Sequence, residues 1–191
     1  MLENIPVTFL DWTGAICVVV SLLFLIRKHI YYWHFSNLSL LPYFLLFLET
    51  RQFMLAGLQV SYLIFGIHGF YLWMLEHRRD GEQKPFNEPF WYNLGWVLTL
   101  LIFLYTIAVS EFKDGWVMLQ FIITSLSLIA NWATTRRWIW SWYVWLLVNA
   151  LQAVLFYHMQ LWGQFGLQFL LAAMSIRGLI VWKKETCSTT L

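Results

Sequence analysis

Trp142, Trp145, Asn149 and Gln152 follow one another at spacings of three, four and three, which on an α-helix puts all four on one face. Indole rings beside amides suit a flat ring with a polar, hydroxylated appendage, because the ring stacks and the amides bond to hydroxyls. A cationic ring would gain a further roughly 0.5–2 kcal/mol from each tryptophan face. Gln59 and Tyr62 form an i, i+3 pair on a second helix, and Gln168 on a third extends the same chemistry. Two structural readings compete with this one. Asn149 and Gln152 could serve as interhelical glue, and Trp142 fits an interfacial belt as well as a binding face. Trp145 lies deeper, where a belt role is less natural.

Catalysis finds no comparable set of residues. His29, His34, His68, His77 and His158 are scattered, mostly at the ends of apolar stretches, with no nucleophile and base at one depth. Cys17 and Cys187 are too far apart in sequence to suggest a disulfide framework or a metal-ligand spacing. The expectation is a binding protein that uses no metal and no cofactor and has no nucleic-acid partner.

The elements that must hold these side chains are membrane spans. The chain is 60% hydrophobic and 12% charged, with a mean hydropathy of +0.63, too little polar surface for a soluble domain of 191 residues. A helix needs roughly 20 mostly apolar residues to cross the hydrocarbon core. Seven stretches qualify, near 9–27, 34–50, 54–76, 91–110, 115–135, 138–158 and 162–182. The first is preceded by Glu3 and no basic residue, and no small-residue cleavage site follows it, so it reads as a retained span. Counted from Trp138 at about 1.5 Å per residue, Asn149 falls near the bilayer midplane. An amide facing lipid there would cost several kcal/mol, so its face should point at protein or a polar cavity. Trp12, Trp73, Trp116, Trp162 and Trp182, at span ends, are expected in interfacial belts.

Charge orients the spans. With seven of them, nine of the twelve Lys and Arg (Arg27, Lys28, Arg78, Arg79, Lys84, Arg136, Arg137, Lys183 and Lys184) fall on one side. Positive charge marks the cytoplasmic face, which puts the N-terminus outside and the C-terminus inside. Arg177 lies near the cytoplasmic end of the last span, where it can snorkel outwards. No carboxylate falls near the midplane, which argues for facilitated diffusion rather than proton coupling.

A shift of 109 positions carries Arg27, Trp33, Phe47, Gly57, Gln59, Gly69 and Trp73 onto Arg136, Trp142, Phe156, Gly166, Gln168, Gly178 and Trp182. Spans one to three and five to seven then repeat one unit in the same orientation, with span four as an inverting linker. The expected fold is an all-α integral membrane protein of seven transmembrane helices in a 3+1+3 arrangement. Residues 1–80 form the first repeat, 81–113 the loop and linker helix, and 114–191 the second repeat with a short cytoplasmic tail. Pro42, inside span two, suggests a packing kink or a hinge. The repeat fails at informative places: Ser36 is matched with Trp145, Leu40 with Asn149 and Tyr43 with Gln152.

The string RRWIWSWYVWLLVNALQAVLF (136–156), together with Gln59-x-x-Tyr62 followed by Gly69 and Trp73, resembles the PnuC family of vitamin and nicotinamide riboside transporters. The resemblance covers nearly the whole chain. It implies the three-plus-one-plus-three architecture of SWEET-type sugar transporters, with a pore between the bundles. It also implies a homotrimer in the bacterial inner membrane and downhill uptake, with substrate trapped by cytoplasmic phosphorylation. Carried over, it makes Trp142, Trp145, Asn149 and Gln59 substrate contacts. The chain departs from many relatives at Gln168, where they carry a tyrosine, and at Asn149, where they carry an acid. The expected substrate is nicotinamide riboside, with thiamine as the alternative. Riboflavin, a deoxynucleoside or a non-transporting scaffold rank lower.

Overall fold

The structure is a computed structural model in which residues 7–78, 97, 100–101, 104 and 115–188 are described. They form six α-helices: α1 (Val7–Ile26), α2 (Tyr31–Glu49), α3 (Phe53–Arg78), α4 (Gly115–Thr135), α5 (Ser141–His158) and α6 (Trp162–Ser188). Their 18 to 27 residues correspond to about 27–40 Å of helix, close to or above the thickness of a bilayer core of about 30 Å. Four of them, α1, α3, α4 and α6, are also apolar enough by composition to cross a membrane. The other two, α2 and α5, carry many of the polar side chains that face the interior. Boundaries expected from sequence differ from these by a few residues. The largest difference is α6, which continues to Ser188 because Lys183, Lys184 and Glu185 extend the helix beyond its apolar part. The expected fourth span falls mostly outside the described residues. Within it Val97, Leu100, Leu101 and Leu104 are helical, and Val97 and Leu104 are buried in the core.

Each helix packs on its neighbour in the order α1, α2, α3, α4, α5, α6, and α6 returns to α1. The ring is therefore closed. Under the 109-residue shift the packing order maps onto itself: α1 on α2 corresponds to α4 on α5, α2 on α3 to α5 on α6, and α3 on α4 to α6 on α1.

The turns repeat too. Lys28, Arg51, Arg137 and Gln160 have φ of 52°, 56°, 53° and 58°, and each closes the helix before it with a Schellman pair of hydrogen bonds. After α1, for example, Lys28 N–H donates to Leu25 O and His29 N–H to Phe24 O, at 2.8 and 2.9 Å. After α4, Arg137 and Trp138 donate to Thr134 O and Ala133 O at 3.0 and 3.1 Å. A left-handed residue with a side chain costs roughly 1–2 kcal/mol. Its recurrence at 28 and 137, and again at 51 and 160, shows that the tight turn is part of the repeated unit.

One end of the ring is knotted by aromatic residues in two equivalent places. The Trp33 ring meets Trp73 edge-on at 5.5 Å and 84°, and the Trp142 ring meets Trp182 at 5.2 Å and 83°. A Cβ added at Gly69 would collide with the Trp33 ring, and one at Gly178 with the Trp142 ring. These glycines let the indoles lie flat against the neighbouring helix. Trp73 Nε1–H then donates to Thr135 O at 3.0 Å, and Trp182 Nε1–H to Ile26 O at 3.2 Å. Each indole thus satisfies a helix-end carbonyl that has no partner within its own helix. Arg137 lies 4.1 Å over the Trp73 ring and Lys28 5.2 Å over the Trp182 ring. Lys28 also pairs with Glu185 at 2.7 Å. Trp73 and Trp182, expected in an interfacial belt, are instead 2% and 0% exposed. Their N–H groups find protein acceptors, so the rings need no water interface. Trp12 and Trp162 are exposed, as a belt position requires.

Candidate functional site

The ring encloses a cavity of about 150 Å³, a size that in other proteins admits a six-membered aromatic ring. Its walls come from α1, α2, α3, α5 and α6. Gln59 and Tyr62 on α3, Trp145, Asn149 and Gln152 on α5, and Gln168 on α6 all line it. Helical periodicity explains why: 145, 149 and 152 fall on one side of α5, and 59 and 62 on one side of α3. The residues lining the cavity include no Asp, Glu, Lys, Arg or His. Among the described residues no group of three His, Cys, Asp or Glu could hold a metal ion.

Trp142 is the exception among the residues singled out from sequence. It lies outside the cavity lining, buried in the knot with Trp182 and Gly178. The expectation that it shares a face with Trp145 holds for the helix. However, the N-terminal turn of α5 has already entered the packed end of the ring, where the neighbour is protein. Its counterpart Trp33 sits in the same way against Gly69 and Trp73.

Trp145, Asn149, Gln59 and Gln168 are held by hydrogen bonds. Trp145 Nε1–H donates to Thr134 Oγ1 at 3.0 Å, and the Thr134 hydroxyl in turn donates to Ala130 O at 2.9 Å. This fixes the indole plane, with Tyr62 tilted beside it at 6.4 Å. Asn149 Nδ2–H donates to Ser175 Oγ at 3.4 Å. Gln59 and Gln168 bond back to their own helices, Nε2–H to Leu55 O and to Gln164 O, each at 3.3 Å. The Gln168 Oε1 acceptor is buried without a partner, and the Tyr43 hydroxyl is buried beside Gln164. Buried polar atoms left open at a cavity wall cost about 1–3 kcal/mol each, and a ligand can recover that. Phe47 and Phe156, equivalent in the repeat, stack at 6.3 Å and 3° on another part of the wall. Equivalent residues can touch only near the axis relating the two units.

Several contributors are not evident from sequence. Tyr43, Ser36 and Gln164 line the cavity, and Thr134 positions Trp145. The repeat offered a signal for Tyr43, since it is the counterpart of Gln152. Thr134 gave none, because an isolated threonine in an apolar helix reads as ordinary packing.

A closed ring of membrane-length helices around an uncharged, amide-rich cavity is the build of a membrane protein that passes a small molecule between bundles of helices. The sequence profile of the nicotinamide mononucleotide transporter family matches residues 8–184, and the chain belongs to that family. Its fold is that of a structure described as "Crystal structure of the Vitamin B3 transporter PnuC", with a TM-score of 0.71 and 16% identity over 93% of this chain and 81% of that one. No curated protein matches the chain significantly.

Proposed function

We propose that this protein is a uniporter for a nucleoside-like vitamin precursor, with nicotinamide riboside as its substrate. The observation that carries the proposal is the cavity itself: an indole and three phenols (Tyr32, Tyr43 and Tyr62) beside five amide side chains (Gln59, Asn149, Gln152, Gln164 and Gln168) and no charged lining. A stacked pyridinium would gain from the Trp145 face, and ribose hydroxyls would meet amide oxygens and nitrogens. A phosphate would meet no Lys or Arg on these walls, which favours the riboside over the mononucleotide of the family's description. In this reading Trp145, Asn149, Gln152, Gln59, Tyr62 and Gln168 bind the substrate, and Trp142 supports the helix that carries three of them.

The packing order of the ring and the paired turns support two parallel three-helix units, 1–80 and 114–191, joined by a linker helix within 81–113. The charge distribution supports an N-terminus outside and a C-terminus in the cytoplasm, and the family resemblance suggests a bacterial inner membrane. Family resemblance adds a homotrimer. Movement is downhill, and cytoplasmic phosphorylation of the riboside traps it.

The experiment is thermal unfolding of the purified protein with nicotinamide riboside, thiamine or riboflavin. A ligand at 100 times its dissociation constant stabilises by about 2.7 kcal/mol. The expected result is a shift with nicotinamide riboside, which Trp145→Ala removes. A shift with thiamine alone would transfer the site to the other aromatic cation, and no shift with any compound would reject the vitamin reading. Uptake into liposomes is expected without a proton or sodium gradient.

A further inference from the structure

The cavity has one electrically distinct end. Gln164, in the first turn of α6, is 3% exposed and lines the cavity, and its Nε2–H donates to the carboxylate of Asp11 on α1. The other carboxylate oxygen lies against Gly163, where a Cβ would collide with it. No acid of α6 occupies its own first turn, so Asp11 supplies the negative charge that the N-terminal N–H groups of a helix favour. The Tyr43 hydroxyl is buried and lies beside Gln164, within reach of the same amide. At the equivalent place on the seam between α3 and α4 stands a neutral amide pair, Gln120 Nε2–H donating to Gln52 Oε1 at 3.0 Å. The carboxylate therefore makes the two seams unlike, and it stands one amide away from a cavity whose own lining is uncharged.

We propose that Asp11, held by Gln164 and the first turn of α6, is a charge filter that favours cationic over neutral rings in the cavity, while the Tyr43 hydroxyl bonds to the ligand's polar part. The inference rests on the riboside reading and adds two residues to it. Asp11, half-buried near the start of α1, is a specificity-determining residue acting across the buried Gln164, where its field is screened less than in bulk water. Tyr43 is a direct contact.

Titration calorimetry with nicotinamide riboside, a cation, and its 1,4-dihydro form, neutral and nearly isosteric, tests this. Asp11→Asn keeps an oxygen to accept from Gln164 but removes the charge. It is expected to weaken the cation about tenfold and to leave the dihydro form within about twofold. Tyr43→Phe is expected to weaken both forms alike, by about fivefold. The same ratio of the two affinities in wild type and Asp11→Asn would overturn the filter. So would loss of both forms in Asp11→Asn, which would make Asp11 a structural latch, and an unchanged Tyr43→Phe would remove Tyr43 from the site. Failure of the wild type to bind either form would reject the riboside reading and the filter with it, an outcome distinct from binding without charge preference.

Discussion

Equivalent positions on the two sides of the ring are filled in different ways. Where α2 carries Ser36, α5 carries Trp145, and the helix behind each differs to match. Val18, Leu22 and Leu25 of α1 are exposed to the cavity. Their counterparts on α4 are Ser127, Asn131 and Thr134, all buried, and none lines the cavity. The indole of Trp145 fills the second side, and Thr134 satisfies its N–H. On the first side the small Ser36 leaves the space open. The knots, by contrast, are alike in ring geometry, glycine contact, carbonyl acceptor and overlying cation. What closes the frame has been kept the same in both units, and what faces the cavity has diverged.

The largest expected effect tests the part that is the same. Gly69→Val and Gly178→Val each force a side chain into an indole, and overpacking of this kind costs about 3 kcal/mol. Thermal unfolding in detergent should show losses of similar size for both. A large loss at one glycine and none at the other would break the equivalence of the knots.

The part that differs should respond unequally. Trp145→Ala is expected to weaken nicotinamide riboside roughly thirtyfold, about 2 kcal/mol, as for a buried aromatic anchor. Ser36→Ala should change affinity less than about threefold, since it removes a hydroxyl and no stacking surface. Calorimetry that found equal effects would mean that both sides contact the ligand alike. A smaller change sharpens the point: Thr134→Val removes the acceptor of the Trp145 N–H and nothing that touches the cavity, and should cost about fivefold in affinity, near 1 kcal/mol. No change there would mean that packing alone orients the indole.

Much of this was legible in the chain because helical periodicity and hydropathy are local properties. Trp145, Asn149 and Gln152 could be put on one face by counting, and the 109-residue repeat could be found by shifting the sequence against itself. The same counting placed Trp142 with them, and there it misled: a shared face does not say what lies opposite each turn of the helix. Trp73 and Trp182 misled for a related reason. A tryptophan at the end of an apolar stretch looks the same whether its N–H reaches headgroups or a carbonyl of the other unit.

By itself, then, the sequence determined a helical membrane chain, the repeat within it and the amide and aromatic face of α5, since each depends on residues close together or on a fixed offset. Only the tertiary structure decided that α6 returns to α1 to close the ring, that Trp142 belongs to the frame, and that Asp11 meets Gln164 across 153 positions. Those are contacts between distant segments, selected by the shape and polarity of surfaces that exist only after the helices have packed.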